Sequence, residues 1–318
     1  MGVSSVSEQP VKPSDLLSFT GRVAIVTGSG TGVGRAHALL LAQRGASVVV
    51  NDVPVANGLG STQSVVEEIR TRGGNAIACE VDLTAAGGAN TLIDTAVQQF
   101  GRIDIVINNA GVLRSVDFAD MTAEIFDFVL GVNLRATFLV SQAAWPHMLT
   151  QKYGRILSTT SNSGLLGTAG STAYAAAKAG VWGLTRSLAL EGREHGINVN
   201  AIAPIAFTAM SMTSRIAPPA WRSGEGDEWA HRLDPALISP AAAWLVHEDC
   251  TLNGQVLSVA GGRVARFFMG LNEGFVSDTL TIEDVRDRSD GLFVTDEPFD
   301  VLPRALDEGK KLRRRLLG

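Results

Sequence analysis

The sequence predicts a doubly wound α/β sandwich: a seven-stranded parallel sheet with helices on both faces. Three observations carry that expectation. Apolar runs of strand length alternate with helix-length amphipathic segments between residues 22 and 262. The strand-like runs are continuous instead of alternating, which suits parallel strands buried on both faces. The first run leads into a glycine cluster that opens a helix, the arrangement in which a βα turn can cradle a phosphate.

The predicted strands, in order, are 23–26, 47–50, 76–81, 103–107, 154–158, 197–201 and 255–259. Between them, helical periodicity covers 34–44, 62–72, 90–100, 123–149, 173–193 and 240–247. Right-handed crossovers between parallel strands then fix the hand of the sandwich. We expect a flexible N-terminal segment over 1–18, one catalytic domain over 19–262 and a C-terminal extension over 263–318. The extension ends in a basic run, Lys310, Lys311, Arg313, Arg314 and Arg315, which reads as a solvated helix end.

Composition narrows the classes. Of 318 residues, 45% are hydrophobic and 19% charged, enough apolar surface to offset the ordering entropy of a folded chain. No apolar run reaches the length of a membrane span. A net charge of -5 argues against a nucleic-acid binder, which carries a basic face. Two cysteines, Cys79 and Cys250, supply neither a disulfide framework nor a four-ligand zinc site. The first residues lack the charged-then-apolar pattern of a secretion signal, and Val6 stands where myristoylation wants Ser or Thr. The cytosol is therefore the expected compartment.

The glycine cluster is Thr27-Gly28-Ser29-Gly30-Thr31-Gly32-Val33-Gly34. Gly28, Thr31, Gly32, Val33 and Gly34 are candidate cofactor contacts, because glycine lets backbone approach a pyrophosphate at a helix N-terminus. Asp52 ends the second predicted strand, followed by Val53. A carboxylate there accepts from both ribose hydroxyls of NAD and repels the 2′-phosphate of NADP; the competing reading is a plain turn residue after Asn51. Asp82 ends strand three and the run Asn108-Asn109-Ala110-Gly111 ends strand four, on the same sheet edge.

The chain has two tyrosines, and one of them, Tyr174, precedes Lys178 by four residues in a helical stretch. Residues i and i+4 share a helix face, so phenol and ammonium approach one site. An ammonium beside a phenol favours phenolate and lowers its pKa toward the range of a general acid/base. Ser161 lies just past strand five. The other tyrosine, Tyr153, precedes strand five and so falls at the opposite edge of the sheet.

These marks resemble the short-chain dehydrogenase/reductase family: TGxxxGxG at Thr27 to Gly34, NNAG at Asn108 to Gly111, Ser161, and YxxxK at Tyr174 to Lys178. Asn133, in GVNLRATF, matches that family's helix asparagine. The resemblance spans roughly 19–262 and implies a Rossmann-type fold with NAD as cofactor. It further implies a catalytic set of Asn133, Ser161, Tyr174 and Lys178. In that set Tyr174 moves the proton, Ser161 bonds the substrate oxygen, Lys178 orients the nicotinamide ribose and Asn133 supports a relay water. By the same match Asp82 and Leu83 contact adenine, and Asn109, Ala110 and Gly111 line the adenosine side. After strand six the family often has Pro-Gly, whereas this chain reads Ala203-Pro204-Ile205-Ala206-Phe207-Thr208. Pro204, Ile205 and either Thr208 or Ser211 are the candidate contacts there.

Within the family, VVVND, GRIDIVINNAGVLR and LVHEDCTLNG most resemble the hydroxyacyl-CoA dehydrogenase branch, that of peroxisomal multifunctional enzymes and their bacterial single-domain relatives. A bulky hydrophobic substrate follows, an acyl-CoA or steroid-like compound, with a terpenoid or other secondary alcohol as alternative. A catalytically silent nucleotide-binding module is the competing class. Residues 207–235 hold Met210, Met212, Trp221 and Trp229; they read as an apolar substrate lid, or else as a small core of their own. The two longest helices carry apolar residues on several faces, so a homodimer or homotetramer is expected.

Overall fold

The computed structural model describes residues 16–54, 61–215, 217, 219–225 and 227–292. The basic run at 310–315 and most of the segment 1–18 lie outside them. The elements are β1 (Val23–Val26), α1 (Gly32–Gln43), β2 (Ser47–Asp52), α2 (Thr62–Thr71), β3 (Asn75–Glu80), α3 (Gly88–Phe100) and β4 (Ile105–Asn108). Then come α4 (Ala123–Leu130), α5 (Ala136–Gln151), β5 (Gly154–Thr159), α6 (Asn162–Leu166), α7 (Thr172–Gly192) and β6 (Ile197–Ile205). The short helices α8 (Ala209–Met212), α9 (Pro219–Arg222) and α10 (Glu228–His231) precede α11 (Ser239–Val246), β7 (Val256–Ala260), β8 (Arg263–Phe267) and α12 (Ile282–Leu292).

The sheet runs β3-β2-β1-β4-β5-β6-β7-β8. All pairings from β3 to β7 are parallel, with Val23 opposite Ser47, Ala24 opposite Ile105 and Ala201 opposite Val256 among them. Successive strand side chains point to opposite faces, and each face has its own core. Ala24, Val26, Val48, Val50 and Leu157 join α1, α2 and α11 on one side. Ile25, Val49, Val106, Ile156 and Val199 join α3, α5 and α7 on the other. Ile25 is fully buried, and burying such a side chain contributes about 1.5–3 kcal/mol.

Three features depart from the sequence expectation. The sheet has eight strands instead of seven, because Gly261 and Gly262 turn the chain straight back after β7. Both take positive φ, +52° and +83°, as a two-residue primed hairpin turn requires, so β8 returns antiparallel. Its arginines and half-exposed pattern break any apolar run in the sequence, and they suit a charged sheet edge. Second, β6 continues to Ile205, so Pro204 lies inside the strand, opposite Val259, and not in the connection after it. Third, the predicted helix over 123–149 is interrupted by a π turn at Gly131–Arg135 between α4 and α5.

The chain divides into two compact units, Met1–Arg266 and Phe267–Gly318. In the second, Thr281 and Asp284 cap α12 reciprocally: Thr281 N donates to the carboxylate (3.0 Å) and Asp284 N donates to the hydroxyl (3.1 Å). In the first, buried Asp104 accepts from Val23 N at 2.9 Å, from Arg22 at 3.2 Å and from Arg102 at 2.6 and 2.8 Å. That clamp closes the amino-terminal edge of the sheet. Tyr153 lies there too, with the guanidiniums of Arg22 and Arg155 at 4.0 and 4.4 Å from its ring centre. Among the described residues no helix is long and apolar enough to cross a membrane.

His37 joins α1 to α11: its Nδ1 lies 2.9 Å from Ser239 Oγ, while Nε2 has no partner among the described residues. Burial lowers its pKa from the ordinary 6.5 to about 4. The unfolded chain therefore binds a proton that the folded chain refuses between those values. Stability from this residue is complete above pH 6.5 and is lost as pH falls toward 4, by ~3 kcal/mol in all. Urea unfolding between pH 7 and 4.5 should show this loss, and His37→Gln should flatten it relative to wild type.

Candidate active site

A cavity of about 900 Å³ opens at the carboxyl ends of the strands. It lies where strand order reverses, between β1 and β4. Connections leave these two neighbours toward opposite faces, and the gap between them is where open α/β sheets take ligands.

One wall is the glycine turn. Gly28 has φ +60°, and a Cβ there would sit 2.7 Å from Ala110 Cα, so no larger residue fits. Thr27 Oγ1 accepts from Asn109 N and Ala110 N, both at 3.0 Å. Asn109 Nδ2 donates in return to the Thr27 and Gly28 carbonyls at 3.1 and 3.0 Å. Thr31 makes no side-chain cap to α1, and Thr31, Gly32 and Val33 line the cavity, so the helix amides there remain available to an anion. Asp52 Oδ2 accepts from Gly30 N (3.0 Å) and Oδ1 from Val53 N (2.9 Å), which fixes the carboxylate at the rim with lone pairs to spare. Val53, Asp82, Leu83, Asn109, Ala110, Gly111, Pro204, Ile205 and Thr208 line the same cavity. This cradle of close backbone, uncapped helix and fixed carboxylate fits a dinucleotide.

The middle of the cavity holds Ser161, Tyr174 and Lys178. Ser161 caps α6: its Oγ accepts from Ser163 N at 3.1 Å and donates to Asn162 Oδ1 at 3.2 Å. Lys178 is buried and donates to the Thr159 carbonyl at 2.7 Å, with Nζ 5.6 Å from the Tyr174 ring centre. The sequence predicts an ammonium pulling the phenol pKa down, and the structure corrects this. Burial dominates at both groups: it raises the Tyr174 phenol, against a smaller lowering by the Ser161 hydrogen bond, and it lowers Lys178 to about 8. Desolvation penalises phenolate and ammonium alike.

Beyond Tyr174 the lining turns apolar: Leu113, Phe128, Met210, Trp221 and Trp229. The two readings of segment 207–235 divide between its residues. Trp221 belongs to a small core with Ala217, Ala230, Leu233 and Ala260, stacks edge-on against Phe207 at 5.4 Å and donates to Asp227 at 3.0 Å. Trp229 and Met210 stay exposed and face the cavity.

Comparison with known proteins agrees with this geometry. Residues 22–219 match the family model described as short chain dehydrogenase. The chain belongs to the short-chain dehydrogenase family. It is 44% identical over 273 residues to a short-chain type dehydrogenase/reductase of Mycobacterium tuberculosis, covering 84% of this chain and 92% of that one. It is 41% identical over 280 residues to peroxisomal multifunctional enzyme type 2 of Mus musculus, covering 85% of this chain and 36% of the mouse protein. The structure of the full-length Drosophila melanogaster enzyme of that name aligns with TM-score 0.76 at 34% identity, over 95% of this chain and 50% of that one. This chain thus spans about a third to a half of those multifunctional proteins.

Two expected residues of this short-chain dehydrogenase sit away from the cavity wall. Gly34 is a packing position: a Cβ there would meet Gly28 O at 2.2 Å and Asn109 Nδ2 at 2.4 Å, so its absence lets α1 press against the turn. Asn133 is buried in the π turn, with Nδ2 donating to Val112 O and Val129 O at 2.9 Å and Oδ1 accepting from Val112 N at 3.3 Å. Its side chain braces the chain after Gly111, with both Nδ2 hydrogens taken. Sequence reading passed over Asn51, Ser163 and Thr168. Asn51 Nδ2 ties the exit of β3 to β2 through Cys79 O (2.9 Å) and Val81 O (3.2 Å), and Thr168 Oγ1 donates to Ser163 Oγ at 2.9 Å. Only the position of Ser163, two residues past Ser161, gave a signal for any of them.

Tyr174→Phe keeps the ring and deletes the transferable proton. Turnover should fall by roughly 10²–10⁴-fold while calorimetric cofactor affinity stays within a few-fold of wild type.

Proposed function

We propose that this chain is an NAD-dependent oxidoreductase acting on a secondary hydroxyl, or the corresponding ketone, of a bulky hydrophobic substrate. The observation that carries the reading is the continuity of the cavity: a dinucleotide cradle at one end, Ser161, Tyr174 and Lys178 in the middle, and an apolar mouth at the other. A bound nicotinamide supplies the hydride chemistry. The chain's own residues do the rest. Ser161 turns its hydroxyl from Asn162 to the substrate oxygen and fixes it beside the phenol. On reduction the Tyr174 phenol gives its proton to the carbonyl oxygen, and on oxidation its phenolate takes the proton of the hydroxyl. Lys178, held by the Thr159 carbonyl, brings its remaining donors toward the cofactor ribose and offsets charge on the phenolate.

The apolar end supports a substrate such as a 3-hydroxyacyl thioester, because small polar alcohols would leave Phe128, Met210 and Trp229 poorly covered. A 3-oxoacyl-[acyl-carrier-protein] reductase of Synechocystis, 38% identical over 256 residues and 99% of its length, supports the same class. A hydroxysteroid fits the apolar lining as the second reading. Ser161, Tyr174 and Lys178 present together speak against a catalytically silent module.

Asp52 supports NAD over NADP, since no Lys or Arg lies between Arg44 and Arg70 to hold a 2′-phosphate. Reduced-cofactor absorbance with a panel of 3-hydroxyacyl-CoAs, hydroxysteroids and short polyols tests substrate and cofactor together. Turnover with NAD should be confined to the hydrophobic members, and equal efficiency with NADP would overturn the cofactor assignment. Asp52→Ala should weaken NAD by ~1.5–3 kcal/mol, the worth of a hydrogen bond to a charged group, and relax the discrimination.

Helices α4, α5 and α7 leave Phe128, Phe138 and Leu190 exposed, which supports a homodimer or homotetramer built on these helices. Light scattering at micromolar concentration should give a multiple of the chain mass; a monomer would refute it.

A further inference from the structure

The last residue of β5, Thr159, lies at the centre of the cavity wall. Its backbone carbonyl is the acceptor that holds the Lys178 ammonium at 2.7 Å. Its hydroxyl holds nothing: Oγ1 is buried and has no hydrogen-bond partner among the described residues. The next two hydroxyls along the chain are both engaged. Thr160 Oγ1 donates to the Lys178 carbonyl at 2.6 Å, and Ser161 Oγ caps α6. A valine would fill the Thr159 position with the same β-branched shape, good strand propensity and no polar atom to satisfy. A buried hydroxyl without a partner, where an apolar isostere would serve the sheet better, marks a position set by something other than folding.

Thr159 as a whole is only half-buried, so the part of it turned toward the cavity is not the sealed hydroxyl. One step between staggered χ1 wells carries a threonine hydroxyl to the place its methyl held, the methyl moving on to the place of the hydrogen. After that step the hydroxyl faces the cavity beside an ammonium that has three donors, one of which the Thr159 carbonyl already takes.

We propose that Thr159 is a positioning residue whose hydroxyl turns into the cavity to bond the same hydroxyl-bearing group that Lys178 bonds, either a ribose hydroxyl of the cofactor or a water. The proposal rests on the reading that a nicotinamide dinucleotide occupies this cavity. No covalent bond changes. The carbonyl of Thr159 aims the ammonium and its hydroxyl aims the group the ammonium meets, so one residue at the end of β5 sets both partners of that contact.

Thr159→Val and Thr159→Ser test this with thermal unfolding of the cofactor-free protein, calorimetric NAD affinity and steady-state kinetics. The valine variant should unfold at a temperature higher by about 2 °C or more, because it removes an unsatisfied hydroxyl. It should nevertheless work less well. If the partner is the ribose, NAD binding and its KM weaken roughly 2–10-fold; if it is a water, kcat falls by that factor with NAD affinity intact. The serine variant restores function in either case. A valine variant that is less stable, or that matches wild type in both NAD affinity and kcat, overturns the proposal and leaves the oxidoreductase reading standing. Wild-type protein that binds no nicotinamide dinucleotide overturns that reading itself.

Discussion

The whole site depends on one topological constraint: β1 and β4 are sheet neighbours whose onward connections run to opposite faces. The loops at their carboxyl ends must part, and a gap opens in an otherwise close-packed molecule. Thr27 is the residue that keeps the two sides of the gap in register. Its hydroxyl takes the first two amides beyond β4, and Asn109 answers by holding the carbonyls of the glycine turn. Because Gly28 packs its bare Cα against Ala110, the floor of the gap is backbone on both sides. The gap is therefore rigid before any ligand arrives, which lowers the ordering cost of binding.

Burial sets the electrostatics of the reacting groups more than their mutual attraction does. It pushes Tyr174 up and Lys178 down, so two groups whose ordinary pKa values nearly coincide are both biased toward their neutral forms. The two shifts run in opposite directions, so the phenol keeps its proton more firmly and its ionisation needs a stabilising change in its surroundings. Such a change comes with anything that adds charge or hydrogen bonds near the Thr159 carbonyl, where the ammonium is anchored.

Much of this was legible in the sequence, for identifiable reasons. Central strands such as Val23–Val26 announce themselves because both faces are covered and every residue is apolar. Asp52 was legible as a position on the cavity rim, because a strand exit after a glycine turn falls at the carboxyl edge of the sheet. The edge strand β8 was not, since its residues are half-exposed and charged and its only signal is the Gly261-Gly262 pair. Asn133 was legible as a position, whereas its three hydrogen bonds to Val112 and Val129 were not, because they depend on how a loop returns over a helix. The orphan hydroxyl of Thr159 is visible only in three dimensions, since nothing in the letters distinguishes it from Thr160.

The π turn at Gly131–Arg135 has a consequence for how this helix can vary. One additional residue in a turn rotates everything after it by about 100° relative to an uninterrupted α-helix. That rotation lets α4 bring Phe128 to the mouth of the cavity while α5 lays Ala136, Val140 and Ala144 against the sheet. The turn thus acts as a phase shifter between a segment that meets the ligand and a segment that meets the core. Losing a single residue here would not shorten the helix so much as re-index it, exchanging the face that α4 shows the cavity for a neighbouring one while the scaffold beneath stays in place.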